Sequence, residues 1–512
     1  MKIVIEPQMC EWEGMVESAV GARDGEEGEK LGGDEQGGDD DGLVACINAN
    51  ADRLGTGRVS CDDRLVVTGH QAWFWHPGIL AKDIAGAVWA EKTGRKLVHL
   101  VVDHDVNAAL RLQVPVEKDG RLYVQTVRLG KEMVGVSTGW QGVVDVDEVL
   151  EKVGELDEPL RGVMRGAWER VQAADCRTLA EQVGVAQVAM MEPYVGGAGE
   201  MGLLFTSDFA EMKGFDGLVE MMVGDAARCV RIYNEEVRRR PEAGVGELVV
   251  TREFVELPLW GIKGEKGAGA GRRMRVFADV GDSREVVLVD EWGEVLGDDV
   301  VMMPKALMMT WALRSGELGR CDLFIHGTGG GIYDGIMESW WLRWCGKRLA
   351  PMAVVTADLY LDFDVPNSGL DELEAAVWWA HHVVHNVERV DGAVNDGDGV
   401  LVEEKRELLG HMDDDRDRRR RRAAFKRIHT INDELVKRHG EVIEAAETRL
   451  AAAKAGVKNR AIAGRRDWCF GLYDRCELKR LREMIAGACH AEKEGDLRGD
   501  CEKVVGSRDE SL

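Results

Sequence analysis

Two short apolar segments, each followed at once by polar residues, constrain the fold of this chain more than any other feature. Residues 65–68 precede the polar segment 69–71, and residues 97–102 precede the polar segment 103–105. Short apolar runs that end in glycine or charged residues are typical of buried parallel strands. Residues 79–93 have the apolar spacing of a helix that crosses between the two strands. The sequence therefore predicts a βαβ unit, in which both strands end at the same edge of a sheet.

The polar residues at these strand ends are candidates for a functional site, because ligands of open α/β sheets bind just beyond the carboxyl ends of parallel strands. The candidates are Gly69, His70, Gln71, His76, Asp103, His104 and Asp105. An imidazole flanked by carboxylates suits general acid–base chemistry, since a carboxylate orients the ring and raises its pKa. The alternative for the acidic residues is a structural role as helix caps.

A third candidate segment is the glycine-rich turn 327–331, which follows the apolar run 322–325. Its glycines would allow backbone N–H groups to approach an anion at the start of the helix predicted over 332–345. A dinucleotide-binding motif is disfavoured because the turn comes late in the chain, and a P-loop is excluded because no lysine follows the glycines. The structural alternative is a tight turn that lets the helix pack closely on its strand.

Three motifs together resemble those of the bacillithiol biosynthesis cysteine-adding enzymes. They are Thr-Gly-His-Gln-Ala at 68–72 with Pro-Gly at 77–78, Asp-His-Asp at 103–105, and Phe-Ile-His-Gly-Thr-Gly-Gly-Gly-Ile-Tyr at 324–333. The order and spacing of the motifs fit the family over most of the chain. The chain departs from the family at His70, where the family has glutamine, and at Gly330 or Gly331, where it has glutamate. The resemblance is therefore that of a divergent member.

The resemblance implies a ligase that forms an amide between the carboxylate of cysteine and the amine of a glucosaminyl-malate. For this reaction we predict that His104 acts as general base for the amine, with Asp103 and Asp105 orienting it. The other candidates would bind the activated carboxyl group or phosphate on one wall (Gly69, His70, Gln71 and His76) and close the opposite wall (Gly327, Gly329 and Tyr333). The sequence leaves the cofactor unknown. Amide formation in water is uphill, so ATP is the chemically simplest activator, and no motif indicates a metal.

Two alternatives from other functional classes stay open. Paired histidines near the end of a first strand also occur in nucleotidyltransferases and adenylate-forming enzymes, although the spacing of His70 and His76 is longer than in the His-x-Gly-His pattern. A divergent chain could instead keep the scaffold as a non-catalytic ligand-binding protein that dimerises. The altered glycine-rich turn favours changed chemistry, whereas the presence of both histidines speaks against complete loss of the site.

Composition limits the partners of the chain. The formal net charge of −26 over 512 residues argues against a general affinity for nucleic acid, which depends on basic surface. No apolar run reaches the roughly 18 residues needed to span a bilayer, and residues 1–6 become charged too early for a signal peptide. The eleven cysteines contain no Cys-x-x-Cys pair, so free thiols in a reducing cytoplasm are expected.

The predicted fold class is α/β, with a Rossmann-like parallel sheet as its core. The core is divided between residues 1–105 and 301–366, an inserted α+β domain covers 106–300, and a helical tail covers 367–512. Segment 22–42 contains nine acidic and two basic residues. We expect it to form a disordered surface loop, because it cannot bury enough apolar surface to offset its chain entropy.

The helical tail contains two patterns of its own. Residues 436–457 carry apolar residues at alternating steps of three and four, which is typical of a coiled-coil seam. The family resemblance implies that this element pairs two protomers as a homodimer. The five arginines at 418–422 could pair with phosphate or carboxylate groups. A solvated, salt-bridged helix face is the alternative for this run.

Overall fold

The computed structural model describes residues 1–25, 40–196, 200–280, 287–305, 308–316, 318, 320–390, 393, 395–414 and 416–490. The acidic segment 22–42, predicted to be a disordered loop, lies mostly outside these residues. Its described ends, 22–25 and 40–42, are helical.

Within these ranges the chain forms strands and helices that we number in chain order. The strands are β1 Lys2–Glu6, β2 Leu65–Gln71, β3 Lys96–Val102, β4 Arg111–Lys118, β5 Arg121–Arg128, β6 Gly202–Phe205, β7 Phe254–Lys263, β8 Arg273–Asp279, β9 Val287–Val289, β10 Val300–Pro304, β11 Cys321–His326 and β12 Met352–Asp358. The helices are α1 Trp12–Gly25, α2 Asp40–Leu54, α3 Pro77–Thr93, α4 Val146–Gly154, α5 Leu160–Gln172, α6 Leu179–Val195, α7 Lys213–Gly224, α8 Ala226–Arg239, α9 Trp311–Arg314, α10 Thr328–Cys345, α11 Leu370–Val383, α12 Gly399–Asp414, α13 Arg418–Arg438, α14 Gly440–Ala463 and α15 Arg475–His490. None of the described helices is both long and apolar enough to cross a membrane.

The chain divides into two compact units. Unit 1 comprises Met1–Leu112, Arg128–Leu359 and Asp467–Leu512, and unit 2 comprises Gln113–Val127 and Tyr360–Arg466. All the candidate site residues named above belong to unit 1.

A six-stranded mixed sheet organises unit 1, with the strand order β1-β12-β11-β2-β3-β6. β1 runs antiparallel to β12, and the other neighbouring strands are parallel. β2, α3 and β3 form the predicted βαβ unit. The α/β class is therefore confirmed, with a mixed rather than a purely parallel sheet. β6 comes from the segment 106–300, predicted as an inserted domain, and it pairs directly with β3.

Helix α3 ends at Thr93, as predicted, and begins at Pro77, two residues before the predicted start. Pro77 occupies the first helical position, where its missing N–H is not needed, and His76 precedes it as the N-cap. Gly94 ends the helix in the left-handed conformation with φ 70°. Residues 80–90 are all buried, which leaves the adjacent pair Lys82 and Asp83 as charged groups inside an otherwise apolar helix.

A large apolar cluster of unit 1 includes residues of the six-stranded sheet and of a second, four-stranded antiparallel sheet of order β10-β7-β8-β9. Trp311 contributes to this core together with Trp340, Trp341 and Trp344 of α10. Their contacting rings have centroids 4.9 to 6.1 Å apart. Tryptophan buries a large apolar area, so core packing accounts for part of the high tryptophan content of the chain.

Unit 2 combines the β4–β5 hairpin with helices α11 to α14. Asp119 and Gly120 form the two-residue turn of the hairpin and both have positive φ, as Asp-Gly turns require. Asn459 of α14 holds the hairpin through two hydrogen bonds. Its Oδ1 accepts the Leu122 N–H at 2.8 Å, and its Nδ2 donates to the Gly120 carbonyl at 3.0 Å.

The predicted coiled-coil pattern 436–457 is divided between two helices. His439 leaves the helical conformation between α13 and α14, with φ −120° and ψ 44°. Its Nε2 lies 2.8 Å from Asp398 Oδ2. Helix α14 packs against α11 within the unit and buries Ala446 and Ala453. The intrachain partner of α14 is therefore α11, and pairing between protomers stays a prediction.

Candidate functional site

The strand order reverses between β2 and β11. From β2 the chain proceeds to β3 and β6 on one side, and from β11 it proceeds to β12 on the other. Gly86 of α3 approaches the Ile325 side chain, whereas Asp334 of α10 contacts the next residue, His326. Because successive strand residues point to opposite faces, α3 and α10 lie on opposite faces of the sheet. Open α/β sheets bind ligands at such switch points, so we take this edge as the candidate site and call it the crevice.

A buried lysine lies at the crevice. Lys82 of α3 is 3 % exposed, and its Nζ donates to the Gly69 carbonyl at 2.6 Å. Its Cδ would be 3.9 Å from a Cβ placed on Gly327. Burial lowers the pKa of Lys82 to about 8, although the Asp83 carboxylate beside it acts in the opposite direction. An ammonium has three donors, and one accepting carbonyl in the described structure leaves capacity for an anion.

His70 lies beside Lys82 at the end of β2. Trp73 Nε1 donates to His70 Nδ1 at 3.0 Å, and the two rings stack with centroids 5.8 Å apart. Burial, together with the nearby Lys82 cation, holds the pKa of His70 well below its ordinary value. The ring is therefore neutral near pH 7 and carries its proton on Nε2. The ring also bonds the Gln71 backbone, so both polar ends of His70 have partners within the protein.

Three polar groups form a buried cluster next to Lys82. Asp83 Oδ1 accepts from Thr68 Oγ1 at 2.5 Å and lies 2.7 Å from His99 Nδ1. Burial raises the pKa of Asp83. The charge of His99 and its hydrogen bond help to bring that pKa below its ordinary value, so the carboxyl stays ionised. Trp75 packs over the His99 ring, with centroids 5.3 Å apart. Within this cluster, the Asp83 carboxylate is close enough to Lys82 to raise the pKa of its ammonium.

His76 starts the helix that carries Lys82. Its Nδ1 accepts the Gly78 N–H at 3.1 Å, as an N-cap side chain does. A ring nitrogen that accepts this bond is unprotonated. The structure therefore places this predicted binding residue at the amino end of α3.

The predicted residues Gln71 and Asp105 meet where β2 and β3 end. Gln71 Nε2 donates to Asp105 Oδ2 at 3.3 Å, and Arg273 Nη1 pairs with Asp105 Oδ1 at 2.6 Å. The Arg273 guanidinium also lies 5.0 Å from the centre of the Trp260 ring. Gln71, Asp105 and Arg273 are all partly exposed. They form a polar wall with donors and acceptors that a substrate can reach.

Asp103 and His104 are buried and bonded to other segments. The Asp103 carboxylate accepts from Thr206 Oγ1 at 2.7 Å, from the Ser207 N–H at 2.9 Å and from Ser207 Oγ at 2.5 Å. His104 Nδ1 lies 2.7 Å from Thr206 Oγ1, and its ring also bonds the Pro304 carbonyl. Burial lowers the pKa of His104 and outweighs the neighbouring carboxylates, which raise it. These two residues fasten the end of β3 to the turn after β6.

Replacing Asp103 with alanine is expected to lower the free energy of unfolding by about 3 kcal/mol, because three donors around a 2 % exposed site lose their acceptor. Urea denaturation followed by circular dichroism measures this loss. The matched control is Asp52→Ala, which breaks an exposed ion pair with Arg58 and should change stability by less than about 1 kcal/mol. Equal effects of the two substitutions would contradict the fastening role.

Residues 328–331 of the predicted turn belong to α10, which begins four residues before its predicted start, and Gly327 is its N-cap. Two glycines of this segment are required for packing. A Cβ on Gly331 would lie 2.5 Å from the Val354 side chain of β12, and a Cβ on Gly330 would overlap Nδ1 of His326. Any side chain at these positions would push α10 away from the sheet or from the histidine. Close packing of the helix, the alternative to ligand binding in the sequence analysis, therefore explains Gly330 and Gly331.

The two glycines predicted to bind a ligand have different surroundings. A Cβ placed on Gly329 would have no neighbouring atom within 4 Å. A Cβ placed on Gly327 would have only Lys82 Cδ in that range, at 3.9 Å. Both lie at the start of α10, next to the crevice. Tyr333, predicted to close the same wall, is partly buried against the apolar core instead.

Replacing Gly329 or Gly330 with alanine distinguishes a glycine that borders open space from one that is required for packing. Gly330→Ala is expected to lower the free energy of unfolding by about 1–3 kcal/mol, because the new methyl group overlaps the His326 ring. Gly329→Ala should leave it unchanged or raise it by up to about 1 kcal/mol, since alanine favours helix and meets open space. Thermal and urea denaturation measure both. A loss for Gly329→Ala as large as that for Gly330→Ala would contradict this placement.

Sequence reasoning missed Lys82 and the pair formed by His326 and Asp334. His326 Nε2 lies 2.6 Å from Asp334 Oδ2, and Arg314 pairs with the same carboxylate. A signal for Lys82 was present, because a charged Lys-Asp pair inside a helix that is apolar all round is uncommon. No local pattern connects Arg314 with Asp334.

Comparison of the chain with protein-family models and with curated proteins finds no match. Across the described ranges, no group of three or more His, Cys, Asp or Glu side chains is arranged to hold a metal ion. The crevice instead brings together a buried ammonium, a neutral imidazole and the start of a glycine-rich helix. Such groups suit the binding of a carboxylate or phosphate.

Proposed function

We propose that this chain is an enzyme that binds an anionic small molecule in the crevice between β2 and β11. The buried ammonium of Lys82 beside the start of α10 carries the proposal. The start of a helix has a partial positive charge and N–H groups without helical partners. A full positive charge at the same place, largely removed from water, would strengthen the attraction for a carboxylate or phosphate.

The reaction proposed is the ligation of cysteine to an amino sugar of the glucosaminyl-malate type, as the motif resemblance implies. The cysteine carboxylate must gain a good leaving group before the amine can displace it, and ATP is the proposed source of that group. Lys82 and the N–H groups at the start of α10 would hold the phosphate or the carboxylate. Gln71, Asp105 and Arg273 would orient the amino sugar through its hydroxyl and carboxylate groups.

The proposal extends to architecture and setting. The six-stranded sheet would be a Rossmann-like core, because the proposed ligand binds at the switch point of the sheet, as in that fold class. The helices of unit 2 would pair two protomers as a homodimer. The enzyme would act in the cytoplasm on small molecules. Adenylyl transfer to another substrate is the second candidate, because the same crevice would serve any phosphate-bearing reactant.

Mass spectrometry tests the reaction. The purified protein is incubated with cysteine, glucosaminyl-malate and ATP, and each is omitted in turn. A product heavier by one cysteinyl residue that requires all three would support the ligase. A folded protein that gives no product would contradict it. The variant His104→Ala tests the predicted general base, and full turnover by this variant would remove His104 from that role.

A further inference from the structure

The ring of His326 lies along the first two turns of α10. Nε2 is 2.6 Å from Asp334 Oδ2, and Nδ1 is the atom that a Cβ on Gly330 would overlap. Asp334 and Gly330 are four residues apart, which is about one helical turn. The imidazole therefore spans one turn, with Nε2 at Asp334 and Nδ1 toward the start of the helix. The start of α10 borders the crevice.

Asp334 is held in its ionised form. Arg314 is fully buried and pairs with it, and Thr310 Oγ1 donates to the same oxygen at 2.9 Å. Burial raises the pKa of Asp334, but the neighbouring His326 and Arg314 side chains lower it below its ordinary value. An ionised Asp334 accepts the Nε2–H of His326. Whenever the ring is neutral, its lone pair is therefore on Nδ1, which faces Gly330 near the start of α10.

We propose that His326 is a catalytic general base in the crevice and that Asp334 is its positioning residue, an inference that rests on the proposed ligase function. In the amide-forming step, the amine nitrogen attacks the activated acyl carbon. The C–N bond forms, the bond from carbon to the phosphate oxygen breaks, and its electron pair leaves with that oxygen. The amine proton passes to Nδ1 of His326. Asp334 fixes the tautomer and stabilises the imidazolium that results.

His104 lacks the arrangement that this role needs. Its Nδ1 faces Thr206 Oγ1, and its ring also bonds the Pro304 carbonyl, so both polar ends of the ring have protein partners. A base requires a nitrogen lone pair that substrate can approach. His326 has one nitrogen committed to Asp334 and the other facing the glycine-rich turn.

The first test uses no ligase assay. Diethyl pyrocarbonate acylates unprotonated imidazole nitrogens that it can reach, and peptide mass spectrometry identifies each modified histidine. We expect modification of His326, with saturating inorganic pyrophosphate slowing it at least about fivefold, and no modification of His104 in the folded protein. Absence of modification at His326, or a rate that pyrophosphate does not change, would overturn the inference. This readout stays valid even if the protein has no ligase activity.

The second test applies once turnover is seen. His326→Gln is expected to lower kcat by about 10²–10⁴-fold with little change in KM, as for loss of a general base. Added imidazole should restore part of the activity of His326→Ala, but none of that of Lys82→Met. Thermal unfolding confirms that each variant is folded. A kcat for folded His326→Gln equal to that of the unaltered protein would overturn the catalytic role, whatever the cause of the modification pattern.

Discussion

Replacing Lys82 with methionine is expected to weaken the binding of inorganic pyrophosphate by about 100-fold and to abolish turnover. The ammonium is the full positive charge that we place at the crevice, and a charge-assisted hydrogen bond at a buried site contributes about 1.5–3 kcal/mol. A loss of 2.7 kcal/mol corresponds to about 100-fold in Kd. Methionine has a similar length and keeps the apolar packing of α3. Isothermal titration calorimetry at pH 7 measures the difference in affinity.

The same substitution should make the protein more stable. Burial lowers the pKa of Lys82 to about 8, so keeping it charged at pH 7 costs about 3 kcal/mol relative to the unfolded chain. Loss of the hydrogen bond to the Gly69 carbonyl lowers the stability by about 1 kcal/mol and so offsets part of the gain from removing the charge. Lys82→Met is therefore expected to raise the free energy of unfolding by about 2 kcal/mol at pH 7.

The contribution of Lys82 to the free energy of unfolding changes with pH in a defined direction. The folded-state pKa of Lys82 lies below its unfolded value, so the unfolded chain binds more protons between pH 8 and about 10.5. The cost of the charged lysine is complete below pH 8 and disappears as the pH rises through that window. The stability advantage of Lys82→Met should shrink over the same range. In the unaltered protein, affinity for pyrophosphate should fall as the pH rises above 8.

The control for Lys82 is a lysine on the same helix. Lys92 lies in the last turn of α3, and its Nζ donates to the Cys489 carbonyl at 2.6 Å, away from the crevice. Lys92→Met should leave pyrophosphate affinity unchanged. Equal affinities of Lys82→Met and the unaltered protein would remove Lys82 from the site.

Replacing Arg314 with methionine is expected to lower the free energy of unfolding by about 3–5 kcal/mol. Arg314 is fully buried, pairs with Asp334 and Glu338, and donates to the Ala350 carbonyl at 2.8 Å. Its loss leaves the buried Asp334 carboxylate without the guanidinium that pairs with it, and a poorly compensated buried charge is costly. Urea denaturation of the full chain, followed by tryptophan fluorescence, measures the effect.

An exposed arginine provides the comparison for Arg314. Arg406 pairs with Glu403 on the surface of α12, with more than half of each side chain exposed. Arg406→Met should therefore change stability by less than about 1 kcal/mol. The double variant Arg314→Met with Asp334→Asn should recover part of the loss, because it removes the unpaired charge. If Arg314→Met alone costs less than about 1 kcal/mol, Arg314 does not hold Asp334 as described.

The βαβ unit could be predicted from sequence because its signals are local. Apolar runs of strand length, the apolar spacing of α3 and the glycine after its end are all read from neighbouring residues. The position of the crevice could not be predicted in the same way. It depends on β11 pairing with β2, and about 250 residues separate these strands along the chain.

The roles of the Asp-His-Asp segment show the same limit. The sequence places carboxylates on both sides of His104 but cannot show where each one points. Asp103 turns toward Thr206 and Ser207, which lie more than 100 residues further along the chain. Asp105 instead meets Arg273 and Gln71 at the polar wall. One local motif thus serves two structural settings.

The coiled-coil prediction had a different weakness. A repeating apolar pattern assumes one continuous helix, and the break at His439 divides the pattern into two helices. The sequence contains a hint of the break, because Gly440 follows His439 directly and glycine disfavours helix. Three small residues of α14, Ala446, Ala453 and Gly456, are buried inside unit 2. Whether the unit also pairs protomers is a separate prediction, which sedimentation analysis can measure.

The crystal structure of the protein with bound inorganic pyrophosphate tests the central claim, that the crevice between β2 and β11 is the ligand site. We predict density within hydrogen-bond distance of Lys82 Nζ and of the backbone N–H groups at the start of α10. Pyrophosphate found only elsewhere, for example in the cavity between α5 and α6 that Arg170 lines, would contradict the claim. So would a crevice that contains no pyrophosphate at a concentration that saturates binding in solution.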